Sequence, residues 1–151
     1  MPTGTLTDGE YRALAGFRHE LRRFLGFSEK VARRAGLEPR QHQLLLTVRG
    51  LPADRRPTIG EIADRLHVRH HSAVELVDRM EARGLVRRHR DAADRRQVLV
   101  RLTRRGDRLL TRLSLSHRAE LRAVAPALLD ALTAVVAGAS SRRRRRPTAA
   151  A

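Results

Sequence analysis

Two short helical runs separated by only two residues, followed at once by a change of hydrophobic period, constrain this chain more than any other feature. Ile59, Ile62, Ala63 and Leu66 recur at three- and four-residue spacing. After His67-Val68 a second run begins, with Ala73, Leu76, Val77 and Met80 on one face, and Gly84 stops it. Thr58 and Glu61 have the spacing of a capping box, in which hydroxyl and carboxylate satisfy each other's free backbone N–H groups. Two short helices joined by so tight a turn describe a helix-turn-helix.

From Leu85 the period changes from helical to alternating. Residues 85–90 and 97–102 are strand candidates, with Val98, Val100 and Leu102 alternating onto one face. Asp91-Ala-Ala-Asp94-Arg95-Arg96 between them is polar and turn-prone. A β-hairpin directly after a helix-turn-helix is the arrangement of a winged helix. The expected fold is therefore mainly α with one small hairpin.

Apolar helices flank this unit on both sides. Thr7 to about Ala35 reads as one long helix, with Leu14, Phe17, Leu21, Phe24, Leu25 and Val31 forming a stripe. Gly36 and Pro39 end it and open a second helix, whose buried side is Leu44, Leu45 and Val48 and which closes at Gly50 and Pro52. Beyond the hairpin, Thr103 can cap a helix lined by Leu109, Leu110, Leu113, Leu121 and Val124. Pro126 is expected to open a separate last helix with Leu128, Leu129, Leu132 and Val136. A winged unit of ~70 residues needs no such flanks for its own core, so helices 8–35 and 104–137 are expected to build a dimer. The domain reading is 1–138 as one domain, with 39–103 as the winged helix-turn-helix, and 139–151 as a disordered basic tail.

Charge narrows the partner. Thirty-two basic residues against sixteen acidic give +16 over 151 residues, and Lys30 is the only lysine. A polyanion is the natural partner for such a chain, and arginine's planar fork can meet phosphate or guanine with two hydrogen bonds. Residues 85–108 alone hold nine arginines and three aspartates, net +6. The aromatic residues Tyr11, Phe17, Phe24 and Phe27 all lie in the first helix, away from the basic region. Stacking platforms for single strands are thus missing there, and double-stranded nucleic acid fits better.

Other chemistries find little support. With no cysteine, disulfides, thiolate metal sites and thiol redox sensing are excluded. No GxxxxGK[ST] loop and no assignable Ser/His/Asp set occurs, so no enzyme activity and no cofactor is expected. His67, His70 and His71 have i, i+3, i+4 spacing, but no ligand nearby completes a metal site, and solvated or DNA-facing histidines are the expected state. Without an unbroken apolar run of ~18 residues or a basic leader, neither a membrane span nor a secretory signal is expected, and a cytoplasmic location follows. The Arg142–Arg146 run reads either as a nucleic-acid arm or as a solvated tail.

Four segments together resemble the MarR family of bacterial transcriptional regulators. They are Thr58-Ile-Gly-Glu-Ile-Ala-Asp-Arg-Leu66, Val77-Asp-Arg-Met-Glu-Ala-Arg-Gly-Leu-Val86, Asp91-x-x-Asp94-Arg95-Arg96 and Val100-Arg-Leu-Thr103-x-x-Gly106. The resemblance implies a homodimer with interlocking terminal helices. It implies sequence-specific binding of a palindromic operator in duplex DNA, usually as a repressor, and often release by a small-molecule effector. By the same likeness Arg69–Arg79 is the exposed part of a recognition helix, with Arg69, His70, His71, Ser72 and Glu75 facing the major groove and Arg79 beside them. Arg95 and Arg96 resemble wing-tip arginines that reach a minor groove, and Asp94 resembles a support that holds an arginine in place. The alternative reading is a nonspecific, architectural nucleic-acid-binding protein acting through charge alone.

Overall fold

The computed structural model describes residues 5–143. In order along the chain it has α1 (Asp8–Arg34), α2 (Pro39–Arg49), α3 (Ile59–Leu66), α4 (His70–Ala82), β1 (Val86–Arg90), β2 (Val98–Leu102) and α5 (Arg104–Arg143). The chain divides into two compact units, Glu29–Ser116 and the segments before and after it.

Local chemistry explains most of the boundaries. α1 opens on a reciprocal box: the Thr7 N–H donates to Glu10 Oε2 (2.7 Å) and the Glu10 N–H to Thr7 Oγ1 (3.3 Å). Gly36, at φ +77°, turns the chain out of α1, and Pro39 starts α2 where its missing N–H costs nothing. At α3 only half of the expected box forms. The Glu61 N–H donates to Thr58 Oγ1 (3.2 Å), but the Thr58 N–H goes to the Arg56 carbonyl (2.8 Å). Glu61's carboxylate is taken instead by Arg65 (2.8 Å) and Arg55 (3.5 Å), because a guanidinium outcompetes an amide for it.

The tight turn between α3 and α4 is made by His67 in the left-handed region, φ 51°, with the Val68 N–H returning to the Ala63 carbonyl (3.0 Å). Gly84, φ 66°, closes α4 the same way, with the Leu85 N–H on the Met80 carbonyl (3.0 Å). Between these turns α4 buries Ala73, Leu76, Val77 and Met80, the four residues its spacing selects. They join Leu37, Leu44, Leu45, Ile62, Leu85, Val86, Val100, Leu110 and Leu113 in one core. Each of the larger side chains contributes ~1.5–3 kcal/mol by leaving water.

β1 and β2 pair antiparallel, from Val86 opposite Leu102 at the base to Arg90 opposite Val98 near the tip. The expected alternation is only partly seen: Val98 is exposed, while Leu99, on the opposite face, is buried. The reason is tertiary. The Val100 N–H donates to the Pro57 carbonyl (2.8 Å) and Thr58 bridges Leu99, so another segment closes that edge of β2.

α5 corrects two expectations. It is one helix from Arg104 to Arg143 with Pro126 inside it, where the sequence suggested two. Ala123, Ala125 and Ala127 favour helix on both sides, and Pro126 is exposed, so water can serve the carbonyl left without an N–H partner. The helix also runs past position 139, where a disordered tail was expected; the rest of that tail, with Arg144–Arg146, lies outside the described residues. By length and composition alone, Arg104–Gly138 would also suffice to cross a membrane, a test that core helices of soluble proteins pass as well. Counting unbroken apolar runs overlooks it, because isolated polar residues interrupt the stretch.

The unit formed by the chain's outer segments contains the first part of α1 and the later part of α5. Here His117 is buried, with Nε2 3.4 Å from the Ser28 carbonyl oxygen and its ring edge-on to Phe27 at 6.2 Å. Leu14, Leu21 and Leu25 on α1 and Leu121, Leu129, Leu132 and Val136 on α5 are exposed.

Candidate nucleic-acid interface

Burial of Ala73, Leu76, Val77 and Met80 fixes the rotation of α4 about its axis and so decides what its other face presents. Arg69, His70, His71, Glu75 and Arg79 are exposed and Ser72 is half-buried. Arg69 is the residue before the first turn, in extended conformation. The helix therefore opens on a cationic and imidazole-rich end carrying free backbone N–H groups, a favourable place for an anion. Among the described residues no group of three His, Cys, Asp or Glu side chains is placed to hold a metal.

The wing tip is a closed turn. The Asp91 N–H donates to the Gln97 carbonyl (3.0 Å) and the Gln97 N–H to the Asp94 carbonyl (3.0 Å). Asp94 Oδ1 accepts the Arg96 N–H (3.0 Å), so its carboxylate orders the turn backbone and does not hold a guanidinium as expected. The carboxylate that does so is Asp91, which is buried, accepts the Ala93 N–H (3.0 Å) and is ion-paired with Arg56. A buried carboxylate needs such a partner more than an exposed one does. Arg95 and Arg96 are exposed, and no ion pair among the described residues involves them.

Arg88 ties the wing to α4, a role that sequence reasoning missed. From β1 its Nη1 reaches Glu81 Oε2 and its Nη2 reaches Asp78 Oδ1, both at 2.6 Å. Its backbone N–H also donates to Glu81 Oε1 (2.9 Å). These hydrogen bonds, the backbone one first, hold the Glu81 carboxyl below its ordinary range. Partial burial works against the charge of Arg88, yet the two carboxylates raise its pKa above the usual value. A signal was available: Asp78 and Glu81 are three residues apart on one helix face, which leaves two like charges together unless a cation arrives.

The Leu-Thr-x-x-Gly segment has a structural task at the base of the wing. Thr103 Oγ1 donates to the Gly84 carbonyl (2.6 Å) and accepts the Gly106 N–H (3.1 Å), while the Thr103 N–H donates to the Leu85 carbonyl (3.1 Å). One residue thus caps α5 and fastens it to the start of β1.

Comparison with known proteins agrees with this geometry. Residues 35–97, from the end of α1 through the wing tip, match the model of the MarR family. This segment is similar to a MarR-family domain. An uncharacterized HTH-type transcriptional regulator of Bacillus subtilis, YsmB, is 34% identical over 65 residues, 43% of this chain and 44% of that protein. The match thus spans less than half of this relative. AbsC, a MarR family transcriptional regulator from Streptomyces coelicolor, has a similar fold, with TM-score 0.69 and 24% identity over 95% of this chain and 100% of that one. A single-residue mutant of Staphylococcus aureus MepR, bound to an oligodeoxyribonucleotide, superposes with TM-score 0.59 at 22% identity over 72% of this chain and 79% of that one. The MarR fold thus extends beyond the matched segment into α5.

Proposed function

We propose that this protein is a sequence-specific, double-stranded-DNA-binding transcriptional regulator of the MarR family, a homodimeric repressor of a palindromic operator that a small effector releases. The observation that carries the reading is the Arg88 clamp, which joins an exposed recognition face to a wing with two uncommitted tip arginines. Arg69, His70, His71, Ser72 and Glu75, with Arg79 beside them, read base edges in the major groove, and Arg95 and Arg96 enter the adjacent minor groove. Asp94 and Asp91 order the turn that presents them. The similar fold of the oligodeoxyribonucleotide-bound MepR mutant supports DNA as the partner.

A second copy of the chain is the occupant that best fits the exposed leucines of α1 and α5. Leu129, Leu132 and Val136 fall at i, i+3 and i+7 on one helix face and are exposed in the single chain. Two copies also suit two half-sites about one helical turn, ~10 bp, apart. Sedimentation should give about 34 kDa, twice the 17.0 kDa chain, and Leu132→Arg should reduce it to one chain. Partition of the wild-type chain into vesicles would instead assign these leucines to a lipid surface.

Selection of bound sites from random duplex DNA tests the reading directly. A regulator prefers its site over random duplex by roughly 10³-fold or more; equal affinity for any duplex would leave the architectural alternative. Arg96→Ala should then cost about 1–3 kcal/mol of operator binding, ~5- to 150-fold in Kd by fluorescence anisotropy. An unchanged Kd would remove the wing from the interface.

A further inference from the structure

We infer that a cavity at the base of the wing binds a small anion carrying two or more charges. The cavity, about 580 Å³, opens beside the first turns of α5, and four arginines border it: Arg83, half-buried, and Arg105, Arg108 and Arg112, exposed. Its size lies within the usual ~300–1,000 Å³ of small-molecule sites. Arg105, Arg108 and Arg112 stand at i, i+3 and i+7, so they project from one side of the helix.

Among the described residues these three charges are left to solvent. No ion pair among the described residues includes Arg105, Arg108 or Arg112. Asp107 also borders the cavity, but its carboxylate is 3.2 Å from Arg49 Nε. Arg83 is held ready from the other side, its Nη1 donating to Oε1 of the buried Gln41 (2.9 Å). Ala35, Leu85 and Leu109 add apolar surface to the wall beside Thr111, and that surface lowers the local dielectric and strengthens any charge–charge attraction. Like charges one turn apart oppose helix formation, and an anion bridging them removes that opposition. Guanidinium forks match phosphate and carboxylate oxygens alike, so the shared ligand chemistry is an oligo-anion of oxygen, a phosphate ester or a polycarboxylate.

A DNA backbone is the wrong occupant on geometric grounds, given the DNA-binding reading above. The cavity lies at the Val86–Leu102 end of the hairpin, while Arg95 and Arg96 lie beyond the Arg90–Val98 end; at ~3.3 Å per residue those ends are ~13 Å apart. Arg83 likewise follows the C-terminus of α4, ~20 Å along the axis from His70 at 1.5 Å per residue. A duplex seated on the opposite ends of both elements leaves the cavity to a small molecule. Its contacts, Arg83 and Leu85, are the residues that join α4 to β1, so occupancy can bias the wing.

The test is calorimetric titration of the full chain with inorganic pyrophosphate and, separately, citrate, at constant ionic strength with chloride as reference. Saturable binding of one or both, one per chain, is expected, and whichever binds distinguishes phosphate from carboxylate ligands. Arg105→Gln/Arg108→Gln should weaken it at least tenfold, while Arg12→Gln/Arg22→Gln, which removes equal charge from α1, should leave it within twofold. In the wild-type protein, the same anion should slow hydrogen exchange at the Leu85 and Leu109 amides, a readout that needs no variant. Equal weakening by both double substitutions, no saturation, or no change in exchange would overturn the site. A duplex-binding salt slope reduced by about two in Arg105→Gln/Arg108→Gln would also overturn it by giving these arginines to DNA phosphates. Failure of the wild-type chain to select a DNA site bears on the regulator reading and leaves the titration unaffected.

Discussion

Gly106→Ala is expected to lower the thermal midpoint of unfolding by up to about 10 °C, taking about 4 °C per kcal/mol, although alanine is the better helix former. In an open helix interior the exchange gains about 0.5–1 kcal/mol. At position 106 the added methyl would lie inside the van der Waals surface of the Leu85 carbonyl oxygen and 3.0 Å from its carbon. The obstacle is backbone, so no rotamer change relieves it: α5 must lift away from the start of β1, at an overpacking cost of about 1–3 kcal/mol. That shift also strains the bonds that Thr103 makes to Gly84 and Leu85. Gly60→Ala is the control, because its methyl would meet nothing closer than Thr58 Oγ1 at 3.9 Å; it should be neutral or slightly stabilising. Paired melts followed by circular dichroism decide the matter, and equal midpoints would show that α5 does not press on the wing as described.

Arg88→Ala should leave a folded protein that binds its operator more than tenfold more weakly. The substitution leaves Asp78 and Glu81 facing each other without a cation and releases the wing from α4. Hydrogen bonds to charged groups contribute about 1.5–3 kcal/mol, but the Asp78 side chain is 58% exposed, so solvent screening reduces the stability change to about 1–2 kcal/mol. Arg88→Lys should recover only part of it, since an ammonium cannot span both carboxylates as a planar fork does.

The stability difference also carries a pH signature. Glu81 has a lowered folded-state pKa, so its contribution is present above the pKa of a free glutamate, near 4.5, and is lost as pH falls through the lower folded value. The gap between wild type and Arg88→Ala should therefore stay constant from neutrality to about pH 5 and narrow below it. A gap independent of pH would mean that Arg88 acts through packing and not through these carboxylates.

The exposed face of α4 needed no structure, because four buried positions at helical spacing leave only one rotation for the rest. Wing pairing was legible for a related reason: antiparallel strands joined by a short polar turn have few alternatives. The internal chemistry of the wing was not. Asp91 and Asp94 are equivalent as letters, and only the approach of Arg56 from a loop distant in sequence makes one an ion-paired buried group and the other a backbone acceptor. Nor does the sequence place Arg88 within reach of α4, since that contact depends on how the hairpin folds back.

Residue spacing and charge, then, determined the helix-turn-helix, the hairpin and the cationic character, because periodicity and net charge are properties of a chain's order alone. The single α5 through Pro126, the Arg88 clamp, the Gly106 contact and the four-arginine cavity were decided by tertiary structure. Each depends on which distant groups meet, and proximity in space is set by packing of the whole core, not by any local stretch.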